Sequence, residues 1–242
     1  MIRKRQVIFL FKLIKLEWKK NNIGKYIRNA SVLSLLLCLF IFALAFLGIA
    51  NDPDGTLDAA PGTEIISAPI ELFTSMAYLI FTSVMLSSFV VSAYKNKTMN
   101  LMFSYPIKRQ KILASQMLAV WIFNFVSLFL TKLFIYSWIF IGAKFMTSSF
   151  VIDFDMGSPS FYMQMLAKSF VVVSMSFIAL FVGMAMKSSK ATIVTSFLLI
   201  FLTQANIGNF TMAKNAVFPM ILTLISFCFA FFLIHSAETK DL

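Results

Sequence analysis

One lysine and two amide side chains interrupt the long apolar run 112–141, and they are the first candidates for chemistry. Lys132 lies about two-thirds of the way along the run, and Gln116 and Asn124 add amide groups within it. An ionisable group inside an apolar span commonly marks a transport pathway, and amides can line a cavity or join neighbouring helices. A long lysine side chain can instead snorkel to the membrane surface. We therefore predict Lys132, Asn124 and Gln116 as possible pathway residues, with snorkelling of Lys132 to the outer surface as the alternative.

Groups suited to catalysis are scarce. His235 is the one histidine in the sequence, which excludes an HExxH zinc site, and the 8 glycines form no GxxxxGK[ST] phosphate-binding loop. The acidic residues Asp153 and Asp155 fit a solvated loop. We predict no catalytic residue, no metal site and no cofactor in this chain. If ATP drives the protein, a second chain binds it.

The elements that position these residues are apolar helices. Of 242 residues, 60% are hydrophobic and 13% charged, whereas soluble domains carry about a quarter charged residues. A spanning helix needs about 20 mostly apolar residues, and lipid excludes exposed sheet edges. We predict an all-α fold, a single polytopic membrane domain over 1–242 with six transmembrane helices. The predicted spans are about 31–50, 68–93, 112–141, 163–186, 191–204 and 216–235.

The distribution of charge predicts the orientation. The net charge is +11, and the basic residues gather before the first span and in the loop 95–111. Cytoplasmic loops of membrane proteins carry such an excess. The loops on the other side carry mainly acids. Both termini and the loop 95–111 are therefore predicted to be cytoplasmic, and a nucleic-acid partner is excluded because the basic residues border apolar spans.

The N-terminal residues 1–28 are predicted to contain an interfacial helix over Val7–Lys20. On a helix, Lys12, Lys15 and Lys19 form one narrow face, and apolar residues including Trp18 cover much of the rest. That pattern is typical of a helix lying on the inner leaflet of the bilayer. The alternative is a frayed basic tail.

The loop between the second and third spans has its own helical pattern. Thr98 can cap a short helix that would place Met99, Met102 and Phe103 on one face, and Pro106 would end it. Such an apolar face suits a groove on a partner protein. The alternative is a helix that rests on lipid headgroups.

The fifth predicted span is short, and polar residues follow it. Thr203, Gln204, Asn206 and Asn209 lie at its outer end. Polar backbone at that depth needs cover from protein or a cavity. Residues 205–218 are predicted to form either a re-entrant or extracellular half-helix or an ordinary short loop.

The stretch Tyr-Pro-Ile-Lys-Arg-Gln-Lys-Ile-Leu leads from the second loop into the third span. Together with the basic N-terminal helix and the six spans, it resembles the ABC-2 type permeases, the membrane subunits of ATP-driven exporters. Tyr94, Lys95 and Lys97 stand where that family has an acid and a glycine, and Gln116 stands where a lysine is common. The residues that fit the family pattern are Thr98, Leu101, Pro106, Arg109 and Ile112.

The resemblance implies a subunit of a bacterial exporter in the plasma membrane. The second loop would contain the coupling helix, which docks on a separate ATP-binding cassette ATPase subunit that holds ATP and Mg. Val7–Lys20 would be the connecting helix, and a second permease subunit, identical or different, would complete the pathway for a peptide, drug or other amphipathic compound. The residues that the resemblance assigns to ATPase coupling are Thr98, Met99, Met102, Phe103, Pro106 and Arg109.

Other function classes remain open. An ion-coupled secondary transporter is expected to have acidic residues within its spans. In this sequence Glu71 alone lies near a span, at its outer end. A membrane scaffold without transport activity is a further alternative. An intramembrane enzyme is disfavoured by the lack of a nucleophile with its base.

Overall fold

The described chain is helical, apart from one short β pair. A computed structural model describes residues 2–46, 66–95, 109–145, 154–204, 206–207, 210–211 and 217–239. One π-helical turn, Ser87–Val91, separates the third and fourth helices. The helices are α1 (Ile2–Lys20), α2 (Ile23–Phe46), α3 (Ser67–Leu86), α4 (Ser92–Lys95), α5 (Arg109–Phe145), α6 (Pro159–Ala185), α7 (Ser189–Gln204) and α8 (Val217–Thr239).

Within these ranges, 5 helices are long and apolar enough to cross a membrane. This supports an α-helical membrane protein, as predicted. A further apolar helix, α7, has 16 residues, which at 1.5 Å per residue reach about 24 Å, short of the roughly 30 Å hydrocarbon core. The count of six spans therefore stays a prediction. The 5 candidate spans are Ile23–Ala45, Ser67–Val91, Gln110–Gly142, Pro159–Ala185 and Pro219–Ser236.

The helix boundaries follow the apolar pattern, with one clear difference. The first predicted span begins at 31, whereas α2 begins at Ile23. Lys25 and Arg28 lie in the first turns of α2. They interrupt the apolar run at its N-terminal side, but the helix continues through them. The backbone hydrogen bonds of a helix can continue through charged residues, whereas the predicted span covers only the apolar residues. The predicted coupling helix lies outside the described residues.

The prediction of a half-helix within 205–218 is wrong for the part of this segment that is described before α8. There, β1 (Asn206–Ile207) pairs with β2 (Phe210–Thr211) in an antiparallel register. Ile, Phe and Thr favour extended backbone. Residues 206–207 and 210–211 therefore pair as strands rather than forming a helical turn.

A lysine with left-handed backbone conformation follows the end of α6, and α7 begins two residues later. Lys187 has φ 48°, its N–H donates to the Met184 carbonyl at 3.1 Å, and the Ser188 N–H donates to the Gly183 carbonyl at 3.0 Å. These two bonds form a Schellman motif. The reversal brings Gly183 of α6 against Thr192 of α7, where a β-carbon on residue 183 would lie 1.8 Å from the Thr192 hydroxyl.

Two compact units divide the chain. Unit 1 comprises Met1–Ile23, Tyr78–Phe125 and Phe170–Leu242, and its buried side chains include Leu113, Val120 and Leu180. Unit 2 comprises Gly24–Ala77 and Val126–Ser169. Its fully buried side chains include Ile70, Leu128 and Ile135. Among the candidate spans, those of α3 and α6 are 61% and 56% buried, whereas those of α2 and α8 are 22% and 28% buried, so the latter two face outward.

Candidate functional site

The predicted coupling residues fall mostly outside the described part of the chain. Thr98, Met99, Met102, Phe103 and Pro106 lie there, and their role stays a prediction. Arg109 is the first residue of α5.

In unit 1, α1 forms as predicted, and one of its faces is attached to α5. The exposed side chains Lys12, Lys15 and Lys19 share the other face. The Trp18 indole Nε1 donates to the Ala119 carbonyl at 3.0 Å. The helix is thus anchored by protein contacts, and the frayed-tail alternative is wrong.

A buried acid completes this α1–α5 junction, which consists of Glu17, Trp18, Gln116 and Ala119. Glu17 is 7% exposed, and the Gln116 amide Nε2 donates to its Oε1 at 3.4 Å. The Gln116 Oε1 atom has no hydrogen-bond partner among the described residues. Gln116, predicted to line a pathway, therefore lies at the contact with α1.

Burial raises the pKa of Glu17 above its ordinary value of 4.5. The neighbouring Lys20 ammonium, at 3.9 Å, and hydrogen bonds from Gln116 and Asn21 oppose this rise but do not cancel it. An acid whose pKa is raised on packing stabilises the packed state most when it is protonated. That stability is fully present below about pH 4.5 and is lost as the pH rises through the raised pKa of Glu17.

Glu17→Gln should stabilise the protein at neutral pH. The neutral amide avoids burial of a charge and can donate to the unpartnered Gln116 Oε1. The difference in melting temperature between Glu17→Gln and the unchanged chain should grow as the pH rises from about 4 to about 8. Glu17→Ala, which leaves Gln116 buried without its partner, should cost about 1–3 kcal/mol. A pH-independent difference between Glu17→Gln and the unchanged chain would contradict this account.

Asn124, also predicted as a pathway residue, connects α5 to α3 inside unit 1. It is fully buried, and its Nδ2 donates to the Val120 carbonyl at 2.9 Å and to the Met85 sulfur at 3.3 Å. Its Oδ1 is unpartnered among the described residues. Close by in sequence, the Trp121 indole donates to Ser174 of α6 at 3.2 Å. The bonds to Met85 and Ser174 join α5 to α3 and to α6.

In unit 2, the third predicted pathway residue forms an ion pair. Lys132 of α5 is fully buried, and its Nζ lies 2.5 Å from Oε2 of Glu71 in α3. Snorkelling to an exposed outer surface is therefore wrong for Lys132. The sequence singled out Lys132 but not its partner, which lies 61 residues away. The only signal for Glu71 was an acid near the end of an apolar run.

A cavity of about 180 Å³ lies beside this pair. It is called the charged cavity below. Glu71, Asp155 and Lys168 bring charges of both signs to its wall, and Lys168 and Asp155 are exposed. The remaining lining residues are Ser67, Tyr136, Phe154, Ser158, Ser160, Phe161, Gln164 and Met165.

The chain has a full-length relative in Bacillus subtilis. It is similar to the uncharacterized protein YcbO of strain 168, with 25% identity over 235 residues, which cover 95% of this chain and 99% of YcbO. No protein-family model matches the chain. No solved structure matches it either. The near-complete coverage means that the similarity extends through both units.

Aromatic rings form one wall of the charged cavity. The rings of Tyr136 and Phe154 meet edge to face at 4.9 Å, as do those of Tyr136 and Phe161 at 5.0 Å. Aromatic faces and carboxylates both attract organic cations. Within the described ranges, no group of three or more His, Cys, Asp or Glu side chains could hold a metal ion.

His235, the remaining candidate for chemistry, lies in α8 of unit 1. It is exposed, and its ring is parallel to that of Phe231 at 6.4 Å.

Proposed function

We propose that this chain is a membrane-spanning permease subunit of an ATP-driven ABC exporter that moves a peptide, drug or other amphipathic compound out of the cell. The observation that carries the proposal is the α1–α5 junction. It joins an amphipathic N-terminal helix to the beginning of α5, directly after the loop that resembles the coupling segment of ABC-2 type permeases. A force applied at that loop would reach both helices together.

The continuity of α5 supports this mechanism. The helix runs unbroken over 37 residues, from Arg109 to Phe145. It carries Gln116, Asn124 and Lys132, each of which contacts another helix through a polar bond. Packed helices move as rigid bodies between discrete arrangements. A shift of α5 would therefore act on α1 and α3 at these contacts.

The outward-facing helices support a second permease subunit. Large apolar side chains are exposed along α2 and α8, among them Leu36 at 58% and Phe231 at 72%. Lipid can cover such side chains, and so can a second copy or a sister subunit. The transport pathway of the proposed exporter would form between the two subunits.

Met102→Asp and Phe103→Asp test the proposal. If these residues dock on an ATP-binding cassette ATPase, a charge at the apolar contact should lower substrate-stimulated ATP hydrolysis by at least about tenfold. The measurement is ATPase activity of the complex reconstituted in nanodiscs, with co-elution of the two subunits. The matched control is Met186→Asp, because Met186 is exposed and ends the predicted span 163–186, outside the coupling loop. Unchanged ATPase activity and assembly in the loop variants would contradict the coupling role.

The Lys132–Glu71 pair favours ion-coupled secondary transport as the second candidate function. Intramembrane ionisable pairs occur in proton and ion relays. The discriminating experiment loads substrate into vesicles and compares transport driven by ATP with transport driven by a proton gradient. Efflux that follows the gradient and does not depend on ATP would favour this alternative, and absence of transport with either source would favour a scaffold.

A further inference from the structure

We propose that the charged cavity of unit 2 binds a small aminophosphate zwitterion, such as the phosphoethanolamine headgroup of a lipid. This inference is independent of the proposed export function, because binding requires neither ATP nor a partner subunit. It rests on the charges, the aromatic wall and the size of the cavity.

The charges favour a ligand of zero net charge. Lys132 does not line the cavity, and its buried ammonium neutralises the Glu71 carboxylate. Asp155 and Lys168 then present one negative and one positive group to the opening. The carboxylate of Asp155 would repel a ligand that carries only negative charge, and the ammonium of Lys168 would repel one that carries only positive charge. Such contacts between like charges lower the affinity. A ligand that carries both signs satisfies both residues.

The cavity lining includes groups that suit the ammonium end of the ligand. Tyr136, Phe154 and Phe161 line the cavity together with Asp155 and Glu71. An ammonium beside aromatic rings gains about 0.5–2 kcal/mol, depending on how far it is desolvated. A carboxylate has about four acceptor sites, so Glu71 can hold Lys132 and still accept a bond from the ligand.

The anionic end has donors for several oxygens. Lys168 supplies a point charge of the kind that binds phosphate. Gln164 lines the same cavity and adds amide N–H donors. A tetrahedral phosphate can use several such donors at different angles. This set favours phosphate over a planar carboxylate.

The size of the cavity favours a headgroup over a drug-sized molecule. Its volume of about 180 Å³ lies below the roughly 300 Å³ at which drug-sized sites begin. A larger amphipathic compound could place only one polar end there.

Binding to the purified full-length chain tests the proposal directly. Native mass spectrometry in nanodiscs measures retention of phosphatidylethanolamine against phosphatidylglycerol, and thermal stabilisation measures soluble O-phosphoethanolamine. We expect preferential retention of the ethanolamine lipid. Lys168→Met and Asp155→Asn should each weaken binding about three- to tenfold. Asn at 155 keeps the acceptor for the Gly157 N–H, which bonds Asp155 at 2.9 Å. Lys144→Met is the control, because Lys144 is an exposed lysine of unit 2 that does not line the cavity.

Each outcome either tests the proposal or identifies the source of the bound aminophosphate. Binding of the lipid alone identifies a membrane headgroup, and binding of soluble O-phosphoethanolamine as well identifies the free aminophosphate. Equal retention of phosphatidylglycerol without loss in Asp155→Asn would overturn the proposal in favour of a simple anion site. Equal stabilisation by ethanolamine without loss in Lys168→Met would overturn it in favour of a cation site. No binding of either probe by correctly folded protein would also overturn it.

Discussion

Lys132→Met should destabilise the protein by about 3–5 kcal/mol, the usual cost of removing one partner from a buried ion pair. The variant leaves the Glu71 carboxylate without its ammonium, in a place where its side chain is 16% exposed. Methionine matches the length of the aliphatic stem, so the loss reports mainly on charge. The measurement is the unfolding free energy in mixed micelles, with the melting temperature in nanodiscs as a second readout.

A double variant separates the pair from its surroundings. Lys132→Met with Glu71→Gln removes both charges and should recover most of the lost stability, because neutral replacements of buried pairs are often tolerated. Lys168→Met is the matched control, since this exposed lysine lines the same cavity and its removal should change stability by less than about 0.5 kcal/mol. Equal stability of Lys132→Met and the unchanged chain would show that the pair contributes nothing.

Gly183→Ala should destabilise the contact between α6 and α7 by about 1–3 kcal/mol or more, as overpacking of a close contact does. The new β-carbon would meet the Thr192 hydroxyl at 1.8 Å, and the Thr192 Cα at 3.3 Å lies on the backbone. Rotation of the Thr192 side chain alone therefore cannot absorb the change, and the two helices must shift. Thermal unfolding of the variant in nanodiscs measures the effect.

Two further variants define the cause. Thr192→Ala in the Gly183→Ala background removes the 1.8 Å contact but keeps the 2.9 Å contact with the Thr192 Cβ, so it should restore stability in part. Gly24→Ala is the control, because a β-carbon there meets nothing within 4 Å. Alanine is the better helix former by about 1 kcal/mol, so this variant should be neutral or stabilising. A Gly183→Ala protein as stable as Gly24→Ala would refute the close approach.

Hydropathy and charge predicted the parts of the fold that the bilayer dictates. The apolar runs became helices because lipid leaves the backbone no other partner. The amphipathic segment before them became α1, with Lys12, Lys15 and Lys19 exposed as predicted. Each of these features depends on residues that are close together in the sequence, so the sequence alone can predict it.

The contacts between helices could not be predicted in the same way. Glu17 and Gln116 are 99 residues apart, and Glu71 and Lys132 are 61 apart. A single sequence shows which residues are polar but not which helix faces meet. Lys132 was identified as a pathway candidate, yet the acid that binds it was interpreted as an isolated residue at a span end. Gly183 gave no signal at all, because its role appears only when Thr192 lies against it.

In the exporter proposed above, two buried polar contacts of α5 would carry a movement of that helix to its neighbours. The α1–α5 junction joins the N-terminal helix to α5, and the Lys132–Glu71 pair joins α5 to α3. Both are buried polar contacts, which have well-defined geometry and high cost when broken. Such contacts favour movement of whole helices over local deformation.

The central claim is that this chain works with an ATP-binding cassette ATPase. The most direct measurement isolates the tagged chain from its native membrane at its natural level and assays the purified material for vanadate-sensitive ATP hydrolysis. The proposal predicts an ATP-binding cassette subunit in stoichiometric amount and hydrolysis that falls with Met102→Asp but not with Met186→Asp. A folded chain that elutes without any ATP-binding subunit and without hydrolysis would contradict it.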